Sequence, residues 1–327
     1  MFTRPDELSD ADIVCAVADG WGLRATSVEW APVGFGSHHW HVRSGAHRWF
    51  LTVDDLDARR DRGSETRDQV GIQLRSALTL ARSLRDSGLD FVVAPADAVG
   101  KHVVHPINER YLAALYPYID GEHHSYGAYP TSAARLAVLD RLVAVHTTRL
   151  GGVLAIKHLD IPRRAELALT LAGSPSGWGP GPFATEAAEL LDRHRGALVD
   201  ALARFDERVD ALHHSHPSLV ITHGEPHRGN TIDTRDGVMV IDWDTARLAP
   251  PERDLWTLID EDPTLADAYT ERTGVEVNQT TLAMYRLHWD LSEISLFVAD
   301  FRAPHEDTED TRLAWAKLQE CTDPIRW

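Results

Sequence analysis

Apolar residues recur at helical spacing in four stretches of the chain. Residues 131–147 and 185–213 place apolar side chains three or four positions apart, so that each stretch would bury one face. Residues 282–302 are also predicted to be helical and are rich in aromatic side chains, and residues 74–86 form a shorter helix candidate. Long helices are therefore expected to dominate the chain after residue 131.

Short apolar runs predict strands, most of them in the first third of the chain. Residues 28–30 and 40–42 flank a glycine-containing turn, as in a β-hairpin, and residues 48–53 form the next strand candidate. Residues 111–121 are typical of a buried strand that leads into a polar turn. A last run at residues 238–241, mostly β-branched, predicts a buried strand in the second half.

Composition narrows the class of protein. The chain has 327 residues, 43% of them hydrophobic, which can fill a sizeable core in two linked lobes. Its net charge of −17 argues against a nucleic-acid partner and favours cationic ligands or plain solubility. With no apolar run of about 18 residues and no apolar signal-peptide core, we expect a cytoplasmic protein without a membrane partner. Cys15 and Cys321 are too few for a disulfide framework.

Two short strand–loop units carry candidate chemistry. Glu225 and Asn230 flank a turn that Pro226 stiffens and Gly229 permits, and Asp242 ends the second unit. Mg²⁺ prefers hard oxygen ligands and uses few protein groups together with phosphate oxygens. The three side chains predict a phosphoryl-transfer centre, in which Glu225 accepts the acceptor's hydroxyl proton and Asn230 and Asp242 hold Mg²⁺. The alternative is that Glu225 and Asp242 are solvated acids of loops and that Asn230 caps a turn. The spacing of the three residues would then have arisen by accident.

At these residues the chain resembles the aminoglycoside phosphotransferase family, a branch of the protein-kinase-like fold. The family's catalytic loop reads His-x-Asp-x-x-x-x-Asn, and His223, Glu225 and Asn230 fall on it. Its metal loop begins with Ile-Asp-Trp or a similar sequence, and Asp242 falls on that aspartate.

The resemblance implies both fold and cofactors. The expected fold is α+β and bilobal, with a small N-terminal antiparallel β-sheet lobe over residues 1–117 and a larger, mainly helical C-terminal lobe over residues 118–327. The implied reaction uses ATP or GTP and Mg²⁺, and phosphorylates a hydroxyl that is often on an antibiotic.

The glycine-containing turn is the candidate phosphate-covering loop. Gly34 and Gly36 permit close approach of backbone N–H groups to phosphate oxygens, and Ser37 adds a hydroxyl. An ordinary hairpin turn is the alternative for this sequence taken alone.

The turn after residue 115 matches the place where a kinase-like fold links its lobes. The adenine is expected beside Tyr116, with the Pro117 carbonyl as acceptor and the backbone N–H of Tyr118 or Ile119 as donor. An edge strand that ends in a tight turn is the alternative.

The chain departs from the family pattern at two places. Glu225 replaces the catalytic aspartate and carries its carboxylate one methylene farther from the backbone. Thr52 occupies the position of the phosphate-binding lysine, and residues 74–86 lack the partner glutamate in their central turns. Joint loss of cation and partner is physically coherent, because a buried carboxylate without its cation is costly.

Other residues are candidates for the missing positive charge. Arg43, Arg48 and the histidines near the glycine turn are the options in this part of the chain, unless more of the work is left to Mg²⁺. A zinc site in the histidine cluster is disfavoured, because strand alternation puts His39 and His41 on one face and His38 on the other.

Acidic and aromatic residues near the C-terminus suggest an acceptor pocket. The candidates are Asp260, Glu261, Trp289, Asp290 and Glu293, whose carboxylates and ring suit the ammonium groups of an aminoglycoside or aminocyclitol. A solvated acidic face is the alternative. Asp254 resembles a family acid that braces the catalytic loop, and His146 is expected to be a hydrogen-bonding residue of the core or of the contact between the lobes.

The sequence therefore predicts an ATP- or GTP-dependent O-phosphotransferase that acts on a small polar molecule. An aminoglycoside-like antibiotic is the leading acceptor, and an amino alcohol, sugar or nucleoside is the alternative. The rival from another class is a pseudokinase that binds nucleotide without catalysis, for which Thr52 and Glu225 are the evidence. The protein is expected to be a monomer or a homodimer.

Overall fold

A five-stranded antiparallel sheet forms the N-terminal part of the protein. The computed structural model describes residues 1–61, 64–150, 159–173 and 177–322. The strands, in spatial order β1-β2-β3-β5-β4, are β1 (Ser27–Ala31), β2 (His38–Ser44), β3 (His47–Asp55), β5 (Tyr111–Pro117) and β4 (His105–Pro106). The predicted hairpin is confirmed, since β1 and β2 pair antiparallel around the glycine turn.

Alternation along the strands gives this sheet two different faces. One face packs on helix α1 (Asp10–Trp21) and buries Trp40, Val42, Leu51, Val53, Ala113 and Leu115. The opposite face carries aromatic and polar side chains that stay half-buried, namely His39, His41, Phe50, Thr52 and Tyr116. These five lie in register, with Thr52 opposite His39 and Phe50 opposite both His41 and Tyr116.

Helix α2 (Arg67–Asp86) covers the sheet beside Leu112 and Ala114. It contains the helix predicted over residues 74–86 but begins earlier. Thr66 accepts a hydrogen bond from the Gln69 N–H while the Gln69 side chain accepts one from the Thr66 N–H, and this capping box satisfies the first turn.

The rest of the chain is mainly helical. Its helices are α3 (Ser132–Thr147), α4 (Arg164–Leu171), α5 (Ala184–Ser215), α6 (Glu252–Glu261), α7 (Thr264–Thr273), α8 (Gln279–Arg302) and α9 (Glu309–Cys321). Its short strands are β6 (Glu122–His123), β7 (Val220–Thr222), β8 (Thr231–Thr234), β9 (Gly237–Val240) and β10 (Arg247–Ala249). The helices predicted over 131–147, 185–213 and 282–302 are confirmed as α3, α5 and α8, and the architecture is α+β as expected.

The main helical core lies between α5 and α8. Apolar faces of these two helices meet α4 and α9 around Leu198, Phe205, Leu291 and Phe301, all of which are buried. In the described part of the chain no helix is both long and apolar enough to cross a membrane. Strand β5 ends at Pro117, where the lobe boundary was placed, although the division into lobes stays a prediction.

Candidate active site

Two loops hold the residues predicted to carry the chemistry. We call residues 223–230 loop A and residues 241–246 loop B. The His223 ring Nε2 lies 2.7 Å from the Ile241 carbonyl, the Ile241 N–H donates to the Asn230 carbonyl at 3.0 Å, and the Thr245 hydroxyl donates to the His223 carbonyl at 2.9 Å. Because the loops are bonded at several points, the side chains at 225, 230 and 242 are held in one region.

His223 orients loop A from the inside. Its Nδ1 accepts the Glu225 N–H at 3.1 Å, so the bond to Ile241 assigns the proton to Nε2. Burial lowers the pKa of His223 below its ordinary value, which is consistent with this neutral tautomer. The ring packs edge-on against the buried Trp243 at 4.6 Å between centroids. His223 is thus a positioning residue that joins the two loops.

Asp254 braces the start of loop A, as predicted. Its carboxylate accepts the N–H groups of His223 at 2.8 Å and Gly224 at 2.6 Å, and lies 3.1 Å from His146 Nε2. Burial alone would raise the pKa of Asp254, but the bond to His146 and the charge of Arg253 outweigh it, and the pKa lies below its ordinary value. His146 is buried and also bonds Tyr269, so its predicted role as a hydrogen-bonding residue is confirmed within the helical core.

Glu225 sits in an environment that suits a proton acceptor. Its side chain is half-buried, and desolvation followed by repulsion from Asp244 raises its pKa to about 7. Arg253 and Arg59 oppose the shift. A carboxylate with this pKa exchanges its proton near neutral pH.

Asp242 adopts a strained backbone conformation at the start of loop B. Its φ is +65°, in the left-handed region that residues other than glycine rarely enter. Although the residue is exposed at the surface, desolvation followed by the charges of Asp244 and Glu225 raises the pKa of its carboxyl well above the ordinary value. The surrounding fold therefore holds a carboxylate where other carboxylates disfavour its charge.

Asn230 completes the predicted metal-binding pair. Its amide nitrogen donates to the Glu225 carbonyl at 2.9 Å and lies 3.3 Å from His227 Nε2, so the amide oxygen is the atom that a cation would use. Excess negative charge around Asp242 is what a divalent cation would offset. Among the residues described, no group of three or more His, Cys, Asp or Glu is arranged to hold a metal ion. These donors fit a magnesium ion held by one carboxylate, one amide and phosphate oxygens.

Arg59, which follows β3, is a site residue that sequence reasoning missed. Its Nε donates to Asp54 Oδ1 at 2.7 Å, its Nη2 is bonded to the Asp244 carboxylate, and the same Nη2 lies 3.5 Å from the Ser37 hydroxyl. Asp54 and Asp244 were missed with it. The available signal was strand parity, because Asp54 lies two residues after Thr52 and hence on the same face of β3.

The structure places the arginines expected to supply the missing positive charge, Arg43 and Arg48, away from the Arg59 cluster. Arg48 pairs with Asp120 and lies over the Tyr118 ring at 4.4 Å. Arg43, Arg48 and Tyr118 together line a pocket of about 190 Å³ at the end of β2 and β3 that is far from the glycine turn. His38 and His39 are poor substitutes, because burial lowers the pKa of His38 to about 4 and that of His39 to about 3, which leaves both neutral at pH 7.

The glycine turn has the backbone that its sequence indicates. Gly34 and Gly36 have φ values of +72° and +88°, which a residue with a Cβ would adopt only with strain. The hydroxyl of Ser37 donates to Asp54 at 2.7 Å and so belongs to the Arg59 cluster. Phe35 at the tip of the turn packs edge-on against Phe297 of α8, with 6.4 Å between ring centroids.

The candidate base-binding segment continues β5. Tyr116 lies on the half-buried face of the sheet, where desolvation and the charges of Asp54 and Asp242 raise its pKa well above the ordinary value. The N–H of Tyr118 donates to the Arg48 carbonyl at 3.2 Å and is thereby used within the sheet. Of the two proposed donors to the base, the Ile119 N–H remains the candidate, beside the Pro117 carbonyl.

An aromatic and acidic wall lies next to loop A. Trp289 of α8 is parallel to Tyr126, with 6.3 Å between centroids, and His227 is edge-on to both rings. One turn along α8, Glu293 has its pKa raised to about 7 by burial and by repulsion from Glu225 and Asp290. Glu293 is therefore near both Glu225 of loop A and Asp290 of its own helix.

The other two acceptor candidates are engaged elsewhere in the helical part. Asp260 pairs with Arg286 at 3.2 Å. Glu261 accepts the Tyr129 N–H at 3.1 Å and lies 3.5 Å from Arg135. Arginines therefore already offset the charge of these two carboxylates.

The chain is similar to known phosphotransferases and kinases in sequence and in structure. Protein StrN of Streptomyces griseus is 27% identical over 309 residues, which cover 89% of this chain and 85% of that protein. The structure of a spectinomycin phosphotransferase in complex with ADP and spectinomycin superposes with a TM-score of 0.72 at 14% identity, covering 99% of this chain and 100% of that one. A choline kinase, LicA of Streptococcus pneumoniae, superposes with a TM-score of 0.53 at 13% identity, covering 95% and 97%.

The structural matches show that the fold is the kinase-like fold of these phosphotransferases, as predicted. A model of the phosphotransferase enzyme family APH matches residues 30–296, a range that contains the half-buried face of the sheet, Arg59 and both loops. The chain therefore belongs to the phosphotransferase enzyme family, APH.

Proposed function

We propose that this protein transfers a phosphoryl group from ATP or GTP to a hydroxyl of a small cationic molecule, with Mg²⁺ as cofactor. The observation that carries the proposal is the joining of loops A and B, which gathers Glu225, Asn230 and Asp242 in one region. An aminoglycoside or aminocyclitol antibiotic is the leading acceptor.

Glu225 is proposed as the group that receives the hydroxyl proton. With a pKa of about 7 it is partly ionised at neutral pH, which is the condition for an efficient general base. The Asn230 amide, bonded to the Glu225 carbonyl, fixes the loop that carries it. Phosphoryl transfer relies mainly on positioning and charge, so the longer side chain of glutamate is compatible with turnover.

Asp242 and Asn230 are the proposed Mg²⁺ ligands. When bound, Mg²⁺ would neutralise charge that develops on the transferred phosphoryl group. The raised pKa of Asp242 supports this role, because a divalent cation relieves the repulsion among Asp242, Asp244 and Glu225. A cation and a proton would therefore compete for the Asp242 carboxylate, and binding of the cation would release the proton.

The nucleotide is proposed to lie against the half-buried face of the sheet. Aromatic and histidine rings on that face, with His39 stacked on Phe50 at 5.0 Å, offer surfaces on which a purine can pack. The Pro117 carbonyl and the Ile119 N–H would match the donor and acceptor on the base edge. The Gly34–Gly36 turn would cover the phosphates.

The acceptor is proposed to bind between loop A and α8. Carboxylates of Asp290 and Glu293 would pair with ammonium groups, and the rings of Trp289 and Tyr126 would pack on a sugar face or a cation. A spectinomycin phosphotransferase and a choline kinase share this fold, so an amino alcohol is the alternative acceptor.

A panel of acceptors tests the proposal. Aminoglycosides, aminocyclitols and amino alcohols would each be incubated with ATP or GTP and Mg²⁺, and phosphorylated product detected by mass spectrometry. For the acceptor that reacts, we expect Glu225→Gln to lower kcat by about 100-fold or more, because the base is lost. Glu207→Gln, on the exposed surface of α5, is the matched control and should react like the parent.

Two outcomes would contradict the proposal. Turnover by Glu225→Gln at the parental rate would remove Glu225 from the chemistry. Nucleotide binding without transfer to any member of the panel would favour the pseudokinase alternative.

A further inference from the structure

The site between the sheet and loop B contains more carboxylates than cations. Asp54, Asp242, Asp244 and Glu225 all act electrostatically on the same region, as their joint influence on neighbouring pKa values shows. A nucleotide triphosphate adds further negative charge. The proposed Mg²⁺ would offset part of this charge, and a side-chain cation near the phosphates would offset more of it.

Arg59 is the side chain placed to supply that charge. Its guanidinium contacts the β3 side chain Asp54, lies near the glycine-turn hydroxyl of Ser37, and binds Asp244 of loop B. It thereby touches the three elements that, under the proposed function, surround the triphosphate. Only about a fifth of the Arg59 side chain is exposed (21%), so its position is set by these partners and not by solvent.

The arrangement inverts an ion pair known from phosphotransferases, in which the strand carries the cation and the following helix carries the carboxylate. Here the strand carries the carboxylate, Asp54, and the segment after the strand carries the cation, Arg59. Thr52, on the same face of β3 as Asp54, is uncharged. The ion pair is therefore still formed, but its carboxylate lies on the strand and its cation lies after the strand.

We infer that Arg59 is the phosphate-binding cation of this enzyme and binds the triphosphate of the nucleotide donor, in place of a strand lysine. The inference rests on the proposed function. Arginine suits the role because its planar guanidinium donates two parallel hydrogen bonds to phosphate oxygens. Asp54 holds Nε and so orients the group, while Nη2, now bonded to Asp244, can exchange that carboxylate for a phosphate oxygen.

A purely structural role for Arg59 makes a different prediction. If Arg59 only tied the sheet to loop B, its removal would weaken binding of every ligand of this site to the same degree. If it binds phosphate, its removal weakens ligands with a triphosphate and spares those without one. Comparison of ATP with adenosine separates the two.

Calorimetric titration of the full chain with ATP and with adenosine, in the presence of Mg²⁺, tests the inference. We expect Arg59→Gln to weaken ATP binding about 10- to 100-fold and to leave adenosine binding within about twofold of the parent. Arg59→Lys keeps the charge without the paired donors and should lie between the two. Arg60→Gln is the matched control, since Arg60 is the next residue, pairs with Asp57 and carries the same charge.

The outcomes are distinct. Equal losses for the triphosphate and the nucleoside, or no loss for either, would overturn the role of Arg59 and leave the proposed function intact. Should Arg59→Gln fail to fold, as judged by circular dichroism, Arg59→Lys decides by the same comparison. If the parent binds neither ATP nor adenosine, the titrations are repeated with GTP and guanosine, and a parent that binds none of the four ligands would overturn the proposed function together with this inference.

Discussion

At the scale of single residues, the site depends on groups held in costly states. Asp242 has a left-handed backbone, and its carboxylate faces two others of like charge. Such strain persists only where the surrounding structure fixes it, as the bonds of Ile241 and Thr245 to loop A do here. A bound cation would relieve the repulsion between the carboxylates, while the backbone strain at Asp242 would stay.

Glu293 gives a pH dependence that can be measured. Its folded pKa is about 7 against an ordinary 4.5, so between these values the folded protein holds a proton that the unfolded chain has lost. Stability contributed by that proton is full below pH 4.5 and is lost as pH rises through 7. We expect the free energy of unfolding of the parent, minus that of Glu293→Gln, to fall from pH 5 to pH 8.

Urea unfolding at four pH values in metal-free buffer measures this difference. The slope should not exceed about 1.4 kcal/mol per pH unit, which corresponds to one proton. Glu271→Gln, which removes an exposed carboxylate of α7, is the control. A difference between parent and Glu293→Gln that stays constant with pH would rule out the burial of this carboxylate near other acids.

At the scale of elements, close approach of backbones decides where glycine is needed. Gly121 lies where the chain passes from β5 to β6, and a Cβ there would meet Ile232 Cγ2 at 2.5 Å and the Asp233 carbonyl at 2.7 Å. Gly196 lies inside α5, and a Cβ there would meet nothing within 4 Å. The same substitution should therefore have opposite effects at the two positions.

We expect Gly121→Ala to destabilise the protein by about 1–3 kcal/mol, because β6 must move away from β8. Gly196→Ala should stabilise it by about 0.5–1 kcal/mol, because alanine lowers the entropy cost of the helix without strain. Chemical denaturation of both variants beside the parent gives the two free energies. A Gly121→Ala variant as stable as the parent would show that the packing of β6 on β8 is looser than described, and a destabilised Gly196→Ala would show that α5 is not open at Gly196.

At the scale of the whole molecule, the first residues of the chain connect its two ends. The carboxylate of Asp310 in α9 accepts the N–H groups of Phe2 at 2.8 Å and Thr3 at 2.7 Å. Just before them, the Met1 nitrogen donates to the Gly34 and Ser37 carbonyls of the glycine turn. A segment anchored on the helical part thus contacts the turn proposed to cover the nucleotide.

We expect Asp310→Ala to release this segment. Amide hydrogen exchange over residues 2–8 and 33–37 should become about tenfold faster, since two charge-assisted hydrogen bonds are lost. Asp307→Ala, which removes an exposed carboxylate paired with Arg312, is the control. Unchanged protection in Asp310→Ala would mean that other contacts hold the segment.

Local patterns predicted much of this molecule, and long-range contacts explain what they missed. The periodicity of α3, α5 and α8 and the motif around Glu225 and Asp242 each lie within one stretch of sequence. The partners of Arg59 are 5, 22 and 185 residues away. Alternation along β3 points to the nearest, Asp54, but no local pattern reveals Ser37 or Asp244. The same holds for Asp260 and Glu261, whose arginine partners come from other helices.

Helix α2 contains no glutamate, and its aspartates, Asp68 and Asp86, stand in its first and last turns. In kinases that pair a strand lysine with a helix glutamate, an outward swing of the helix switches the enzyme off by separating the pair. Here Asp54 and Arg59 both precede α2, so the same swing would leave them together. Compounds that inhibit kinases by displacing this helix are therefore expected to be poor inhibitors of this enzyme. Anionic molecules that bind the guanidinium of Arg59 are expected to inhibit it better.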